Sequence, residues 1–174
     1  NCYIPGTING VSVTLGTGTS FTVPDGSRLE VGMTVTTEAG STGDTGQGVL
    51  VDAINGNTVT LSQAPATAGA ATLTFTSPDS LNVTLPSVVG LSVGDVITQT
   101  SGNAVLGSNT TIGSIDAPNN IITLSGQATE PGTAVLNFTP VFGIGTQTFQ
   151  YTIQRLGSVD TAVISGTNSG NGYS

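Results

Sequence analysis

The chain has 174 residues, of which ten are acidic, two are arginine and none is lysine or histidine, so its net charge is -8. Charged residues make up 7% of it, against about 25% in ordinary soluble domains, so hydroxyl and amide side chains must cover the surface. Phosphate binding needs clusters of lysine and arginine, and this composition therefore excludes nucleic acid as a partner.

Missing residue types exclude several kinds of chemistry. Without histidine or lysine the chain has no Ser-His-Asp, Cys-His or Ser-Lys arrangement and no Schiff base. Cys2 is the only cysteine, so no intrachain disulfide forms and the usual zinc ligands are lacking. We expect Cys2 to be a buried thiol, and the alternative is an intermolecular disulfide. No run of about 20 apolar residues exists, so we expect no membrane insertion. Because the first residue is Asn1 rather than methionine, we expect a trimmed, processed or partial chain.

The first predicted element is an N-terminal strand and assembly segment, residues 1–19. Val11, Val13 and Leu15 alternate with polar residues, which is the period of a half-buried strand. The Asn9-Gly10 pair before them is a turn signal. We expect this strand to pair either with its own repeat or with a neighbouring subunit.

A first β repeat is predicted over residues 20–78. Its opening strand ends at Pro24, and Asn55-Gly56 predicts a tight hairpin. Residues 38–48 contain four glycines and predict a mobile surface loop. The positions predicted to face inward include Phe21, Val23, Leu29, Val31, Met33, Val35, Leu73 and Phe75.

A second β repeat is predicted over residues 79–140, because residues 29–35 (LEVGMTV) return as residues 91–97 (LSVGDVI). Such self-similarity indicates a tandem duplication. Asp95 stands where the first repeat has Met33, which predicts an exposed position at a strand edge. The predicted core of this repeat comprises Val83, Leu85, Leu91, Val93, Ile97, Ile112, Ile115, Ile122, Leu124, Leu136 and Phe138.

Residues 141–174 are predicted to form a C-terminal β extension followed by a flexible tail from residue 165. Phe149, Tyr151 and Ile153 alternate with polar residues, and we expect them, with the N-terminal strand, to serve assembly. No segment has helical apolar spacing. The fold class is therefore all-β, with two tandem sandwich-like or barrel-like repeats.

Carboxylates are the remaining candidates for chemistry. A glycosidase-like pair could come from seven acids, but none of them recurs as an acid in the other repeat, and the chain has no tryptophan for sugar stacking. Asp44, Asp52 and Asp116 could offer oxygen ligands to calcium but lack the spacing of a calcium loop. We therefore predict no catalytic, metal or cofactor site. The seven acids that could supply a glycosidase-like pair are Glu30, Glu38, Asp44, Asp52, Asp95, Asp116 and Glu130.

The repeat resembles a β module of bacteriophage structural proteins. The matching segments are residues 31–36 (VGMTVT), 54–62 (INGNTVTLS) and 73–75 (LTF), and in the second copy residues 93–98 (VGDVIT) and 122–125 (ITLS). Such modules occur in tail fibres, neck appendages and capsid decoration proteins. The resemblance carries over no catalytic residue.

The sequence thus predicts a non-enzymatic structural protein on the exterior of a phage particle, a decoration or fibre component that self-associates, as a homotrimer by analogy, and contacts other virion proteins. One alternative is a subunit of a cellular extracellular filament or adhesin assembled by strand donation, and another is a carbohydrate-binding module. Glycosylation sequons occur at Asn82, Asn109 and Asn137.

Overall fold

The computed structural model describes residues 1–141, 146–155 and 158–167, with side chains for residues 1–141. The predicted all-β class is confirmed, since helical residues within these ranges are confined to two 3-10 turns, Gly26–Arg28 and Ala117–Asn119. The first twelve strands are β1 (Cys2–Ile4), β2 (Thr7–Leu15), β3 (Ser20–Thr22), β4 (Thr34–Thr37), β5 (Val49–Asn55), β6 (Thr58–Leu61), β7 (Gly69–Thr76), β8 (Asn82–Thr84), β9 (Val96–Gly102), β10 (Ile112–Asp116), β11 (Ile121–Leu124) and β12 (Gly132–Thr139).

The chain divides into two compact units, Asn1–Thr139 and Pro140–Ser174. The first unit contains two separate hydrophobic cores, and we call the parts built around them the first lobe (β2 to β7) and the second lobe (β1 and β8 to β12). The second unit contains the last two strands, β13 (Thr146–Arg155) and β14 (Ser158–Thr167), which form an antiparallel hairpin. The predicted boundaries at 19/20 and 78/79 stay predictions.

The first lobe is one six-stranded antiparallel sheet in the order β2-β7-β4-β5-β6-β3, curved into a nearly closed barrel. Alternate residues of each strand point into its core, because successive side chains of a strand face opposite sides. The hairpin predicted at Asn55-Gly56 is confirmed, with Asn55 paired to Thr58 and Gly56 at a φ of 61°. The largest fully buried side chains here are Phe75, Leu15, Met33, Leu61, Leu73, Val35, Val49 and Val51.

The second lobe has two three-stranded sheets, β1-β12-β9 and β10-β11-β8, and a single bridge between Val96 and Thr111 connects β9 to β10. Its strands pair in the same pattern as the first lobe, with β12 between β1 and β9 as β7 lies between β2 and β4. The N-terminal strand β1 therefore takes the place that β2 has in the first lobe. The duplication itself stays a prediction, since the first lobe has one continuous sheet and the second has two.

The glycine-containing segment that recurs in both lobes is a turn followed by a strand, so the predicted burial of Val31 and Val93 is wrong. Met33 N donates to Glu30 O at 3.4 Å, and Gly32 in between has a φ of 92°, as the third residue of a type II turn requires. The turn breaks the period of two, which leaves Val31 58% and Val93 63% exposed.

Asp95 is buried, at 5% exposure, so the prediction of an exposed edge position is also wrong. Its Oδ2 accepts a hydrogen bond from Ser92 N at 3.0 Å. At the matching place in the first lobe, Met33 Sδ accepts from Glu30 N at 3.4 Å. A carboxylate and a thioether thus satisfy the same backbone N–H, which explains how one position can hold two such different residues.

The loop at residues 38–48 is fastened to the sheet, which its glycine content did not indicate. Thr42 N and Gly43 N both donate to Ala70 O, at 2.9 and 2.8 Å. Thr45 is fully buried, and its N–H donates to Thr37 Oγ1 at 2.9 Å. The first residues of β7 supply the acceptor that holds the loop.

The contribution of the Asp95 hydrogen bond to stability can be measured by substitution. Asp95→Ala leaves Ser92 N–H without its acceptor and should lower the free energy of unfolding by about 1 kcal/mol or more. Asp95→Asn keeps a side-chain oxygen and should lose less. Urea unfolding of the two variants checks this, and equal midpoints for Ala and Asn would rule out the proposed role.

Candidate functional site: an open seam between two strand edges

In the first lobe, the edge strands β2 and β3 lie beside each other, but no ladder joins them within residues 1–141. A groove of about 620 Å³ runs between them, and we call it the seam. It is the place where the barrel fails to close. The residues that line it are Ser12, Val13, Thr14, Gly16, Ser20, Phe21 and Thr22.

The seam is open because its two strands use only one edge each. β2 pairs with β7 from Val11 to Leu15, and alternate residues of an antiparallel strand direct their N–H and C=O groups away from the partner. β3 is three residues long, pairs only with β6, and is followed closely by Pro24, which cannot donate to a ladder. Within residues 1–141, backbone groups on both sides of the groove thus have no ladder partner and are available to another strand.

The side chains of the seam form an apolar floor and a hydroxyl rim. Val13 and Phe21 are buried in the core, whereas Ser12, Thr14 and Thr22 are exposed. Exposed edges are commonly protected by charged residues or proline, because an unprotected edge pairs with other chains. No lining residue of the seam carries a charge.

A β-bulge shapes β2 just before the seam. The register of β2 against β7 shifts between Ile8 and Val11, where the sequence predicted a turn at Asn9-Gly10. Glu38 Oε1 accepts from Gly10 N at 2.7 Å and from Thr74 Oγ1 at 2.9 Å. One carboxylate therefore fixes the bulge to two strands, and bulges of this kind bend and twist the strand that carries them.

The corresponding place in the second lobe, between β1 and β8, is smaller and less polar. Its groove has a volume of about 220 Å³, and its lining includes Leu85, Pro86, Leu136 and Phe138. The second lobe therefore offers a smaller groove than the seam.

A third groove, of about 570 Å³, follows the edge of β9 that does not face β12. Gln99 partly occupies this edge, because its Nε2 donates to Ala104 O at 2.6 Å and to Gly102 O at 3.3 Å. A strand that docked here would have to displace the Gln99 side chain. Within residues 1–141, no side chain blocks the seam in this way. The side-chain hydrogen bond of its lining residues joins Ser20 Oγ on β3 to Thr60 Oγ1 on β6, at 3.0 Å.

Polar contacts join the two lobes. Tyr3 Oη donates to Arg28 O at 2.8 Å, and Arg28 Nη1 pairs with Glu130 Oε2 at 2.8 Å. Asn103 Nδ2 donates to Ser27 Oγ at 2.6 Å. These contacts hold the 3-10 turn of the first lobe against the second lobe, so the two lean on each other.

Three titratable groups near this junction have displaced pKa values. Burial raises the pKa of the Tyr3 phenol, and the negative charge of Glu30 raises it further. Burial also raises the pKa of Glu30. At Asp25 the hydrogen bond from the Ser27 hydroxyl lowers the pKa of the carboxyl. The junction thus favours a neutral phenol and an ionised Asp25.

The predicted assembly residues fall in two places. Val11, Val13 and Leu15 are buried in the first-lobe core, and their strand pairs with β7 of the same lobe, one of the two pairings expected from the sequence. Phe149, Tyr151 and Ile153 lie on β13, and their side chains lie outside the described part of the chain. Exposure of those three side chains is therefore untested.

The candidate carboxylates have separate tasks. Glu38 holds the bulge, Glu130 pairs with Arg28, and Asp95 accepts from Ser92. Asp44 Oδ1 accepts from Gly46 N at 3.0 Å, and Asp116 Oδ2 from Asn119 Nδ2 at 2.8 Å. Among the described residues, no three acidic or cysteine side chains gather where they could hold a metal ion.

The sequence did not single out the rim of the seam, although a signal was present. Ser12, Thr14 and Thr22 occupy the polar positions of alternating segments, which indicates only that they face outward. These residues lie close together because β2 and β3 are the two end strands of one sheet, which curves until its end strands lie side by side. That placement requires the strand order, which local patterns do not give.

Comparisons with family models, curated proteins and solved structures found no match to the chain. Over the residues with described structure, none of the helices is long and apolar enough to cross a bilayer. The seam and the composition of the chain are therefore the basis for a functional proposal.

The Tyr3 phenol makes the stability of the chain sensitive to alkaline pH. Its folded pKa lies above the usual value of about 10, so its contribution to stability is complete below about pH 10 and is lost as the pH rises through the folded pKa. Between about pH 9 and pH 12, the wild type should lose more free energy of unfolding than Tyr3→Phe. Urea denaturation at both pH values checks this, and equal losses in the two proteins would contradict it.

Proposed function

We propose that this chain is a non-enzymatic structural protein on the exterior of a bacteriophage particle, a decoration or fibre component that assembles through β-strand edges. The observation that carries the proposal is the seam, where two uncharged strand edges, unpaired in the described part of the chain, flank a groove of about 620 Å³. The resemblance of residues 31–36 and 54–62 to phage β modules is the reason for placing the chain on a phage particle.

The mechanism we propose is strand addition. An extended segment of a neighbouring protein would enter the seam, form backbone hydrogen bonds with a free edge, and place alternate side chains against Val13 and Phe21. Because the sheet has six antiparallel strands, β2 and β3 run in opposite directions, and one added strand can be antiparallel to only one of them. We assign it to β2, which has nine residues against three in β3.

The composition of the chain agrees with this role. Without lysine or histidine, the chain lacks the residues that usually activate a catalytic nucleophile as its general base. A net charge of -8 keeps unassembled copies apart and soluble. Partners in the proposal are further copies of the chain and other proteins of the particle.

Imaging tests the proposed location. Gold-labelled antibodies against the purified chain should bind the outside of intact phage particles that encode it. Label confined to cell-surface filaments would favour the extracellular alternative, and particles that bind label only after disruption would contradict an exterior position.

Lysine substitutions test the seam. Ser12→Lys with Thr14→Lys places two charges on the exposed side of the free edge and should weaken incorporation into particles by about tenfold or more, since about 1.4 kcal/mol suffices for that factor. The matched control is Thr34→Lys with Thr36→Lys, at exposed positions of β4, which is paired on both edges. Melting temperatures should stay the same in both. Equal incorporation of the two variants would refute assembly at the seam.

A further inference from the structure

The second lobe lacks part of a strand on one side of β12. β12 extends from Gly132 to Thr139, but β1 pairs only with its first three residues, where the last pair joins Cys2 to Ala134. The other edge of β12 pairs with β9 as far as Thr139. Among the described residues, no strand pairs with residues 135–139 on the β1 side. We call this stretch the acceptor edge, because alternate residues of it direct backbone N–H and C=O groups away from β9.

The first lobe shows what occupies this position when the strand is complete. There β7 takes the place of β12, and β2 pairs along it from Gly69 to Thr76. β1 matches only the end of β2, since Ile4 and Leu15 each pair with the glycine that begins the central strand. In the part of the chain with described side chains, the second lobe therefore has no counterpart to residues 7–11 of β2.

The missing segment leaves two side chains of the second core partly uncovered. Leu73 and Phe75 on β7 are fully buried, and apolar residues of β2 pair with both. Leu136 and Phe138 hold the matching places on β12 and pack against the second core, but they are only partly buried. Apolar surface left in water is unfavourable. The acceptor edge thus lacks apolar cover as well as backbone partners.

The groove along the acceptor edge has room for a single strand. Its volume is about 220 Å³, and Leu85, Pro86 and Ser87 form the wall opposite β12. β1 lies in line with this groove, paired to β12 on one side and close to β8 on the other. A strand that already had a neighbour on its far side would collide with this wall, since paired strands are about 4.8 Å apart. The occupant is therefore one extended segment and not the edge of another sheet.

The lining of the groove defines the chemistry of that segment. None of its lining side chains carries a charge. In the first lobe, Ile8 and Val11 of β2 lie opposite the two fully buried residues of β7. A segment with aliphatic residues at the same two places would cover Phe138 and Leu136. The occupant is thus an uncharged extended peptide with two aliphatic side chains on one face.

The donor of this segment is a different protein rather than a second copy of the chain. The segments of this chain with such alternation are already paired in its own ladders, β2 with β7 and β13 with β14. Residues 1–139 contain nine acidic residues and one arginine, a net side-chain charge of -8. Two first units therefore repel each other, whereas a neutral or basic protein is not repelled.

We infer that the acceptor edge binds an extended segment of a different protein, antiparallel to β12 and in line with β1, that places two aliphatic side chains on Leu136 and Phe138. Backbone hydrogen bonds to β12 supply the affinity, and the two apolar contacts supply the specificity. The acceptor edge lies in the second lobe and is distinct from the seam, and the inference does not depend on the phage setting.

A peptide with the sequence of residues 7–11 (TINGV) and blocked ends is the probe. At millimolar concentration it should shift the amide NMR signals of residues 135–139 in the full chain and slow their hydrogen exchange. The control peptide has serine in place of both aliphatic residues and should do neither. Equal effects of the two peptides, or no effect of either, would overturn the inference.

Hydrogen exchange of the chain alone is a second readout. Free amides among residues 135–139 should exchange much faster than the amides of residues 72–76 on β7, which are paired on both sides. Equal protection of the two segments would show that the chain covers its own acceptor edge, and would refute the inference.

A graft tests the site in the intact chain. The sequence TINGV placed directly before Asn1 continues β1 in the register that residues 7–15 have in β2. It should raise the melting temperature by about 4 °C or more and weaken binding of the free peptide at least tenfold. The matched graft with serine at both aliphatic places should change neither. Equal melting temperatures of the two grafts would contradict the inference.

These outcomes are separate from the tests of the proposed function. Particles that carry the chain although the peptide does not bind would refute only the acceptor edge. Binding of the peptide to a chain that is absent from particles would refute only the phage role.

Discussion

Every strand has two edges, and the pairing of those edges is the constraint on which this structure depends. In the first lobe, every strand edge is paired within residues 1–141 except one edge each of β2 and β3. In the second lobe, residues 77–81 between β7 and β8 are too few to supply a strand like β2, and β1 comes from the start of the chain instead. Ile4 on β1 is consequently fully buried in the second core, while Val11 on the same N-terminal segment is buried in the first. The N-terminal segment thus joins the two lobes.

The crossing from one lobe to the other is itself fixed by hydrogen bonds. Gly6 N donates to Ser77 Oγ at 3.0 Å, and Ser77 N donates to Gly6 O at 2.9 Å. Ser77 is 6% exposed, so both bonds form in a largely buried setting, where unpaired polar groups are costly. Gly6, which follows β1, and Ser77, which follows β7, therefore hold each other in place. They lie close to the contacts that Tyr3 and Arg28 make between the lobes.

Much of the fold follows from local patterns, because alternation specifies strands and Asn55-Gly56 specifies a hairpin. Phe75, Ile122 and most other predicted core residues are indeed buried. The failures have physical causes that a periodic pattern does not contain. Val31 and Val93 lie in a turn that precedes a strand, so they do not follow the strand's alternation. Asp95 is buried because its carboxylate accepts the hydrogen bond of Ser92 N–H. The seam could not be predicted, since it depends on which strands meet at the ends of the sheet. The sequence did indicate that β13 carries alternating apolar residues, but not what packs against them.

The late pairing of β1 has a consequence for how the chain folds during synthesis. All strands of the first lobe lie within residues 7–76, so that lobe can complete its sheet as soon as β7 has left the ribosome. The second lobe must wait, because Cys2 pairs with Ala134, among the widest sequence separations in the molecule. Contacts of such long range slow folding, since the loop must close before they stabilise anything. The residues of β1 are therefore made well before their partners, and a nascent chain carries Ile4 uncovered until β12 has been made.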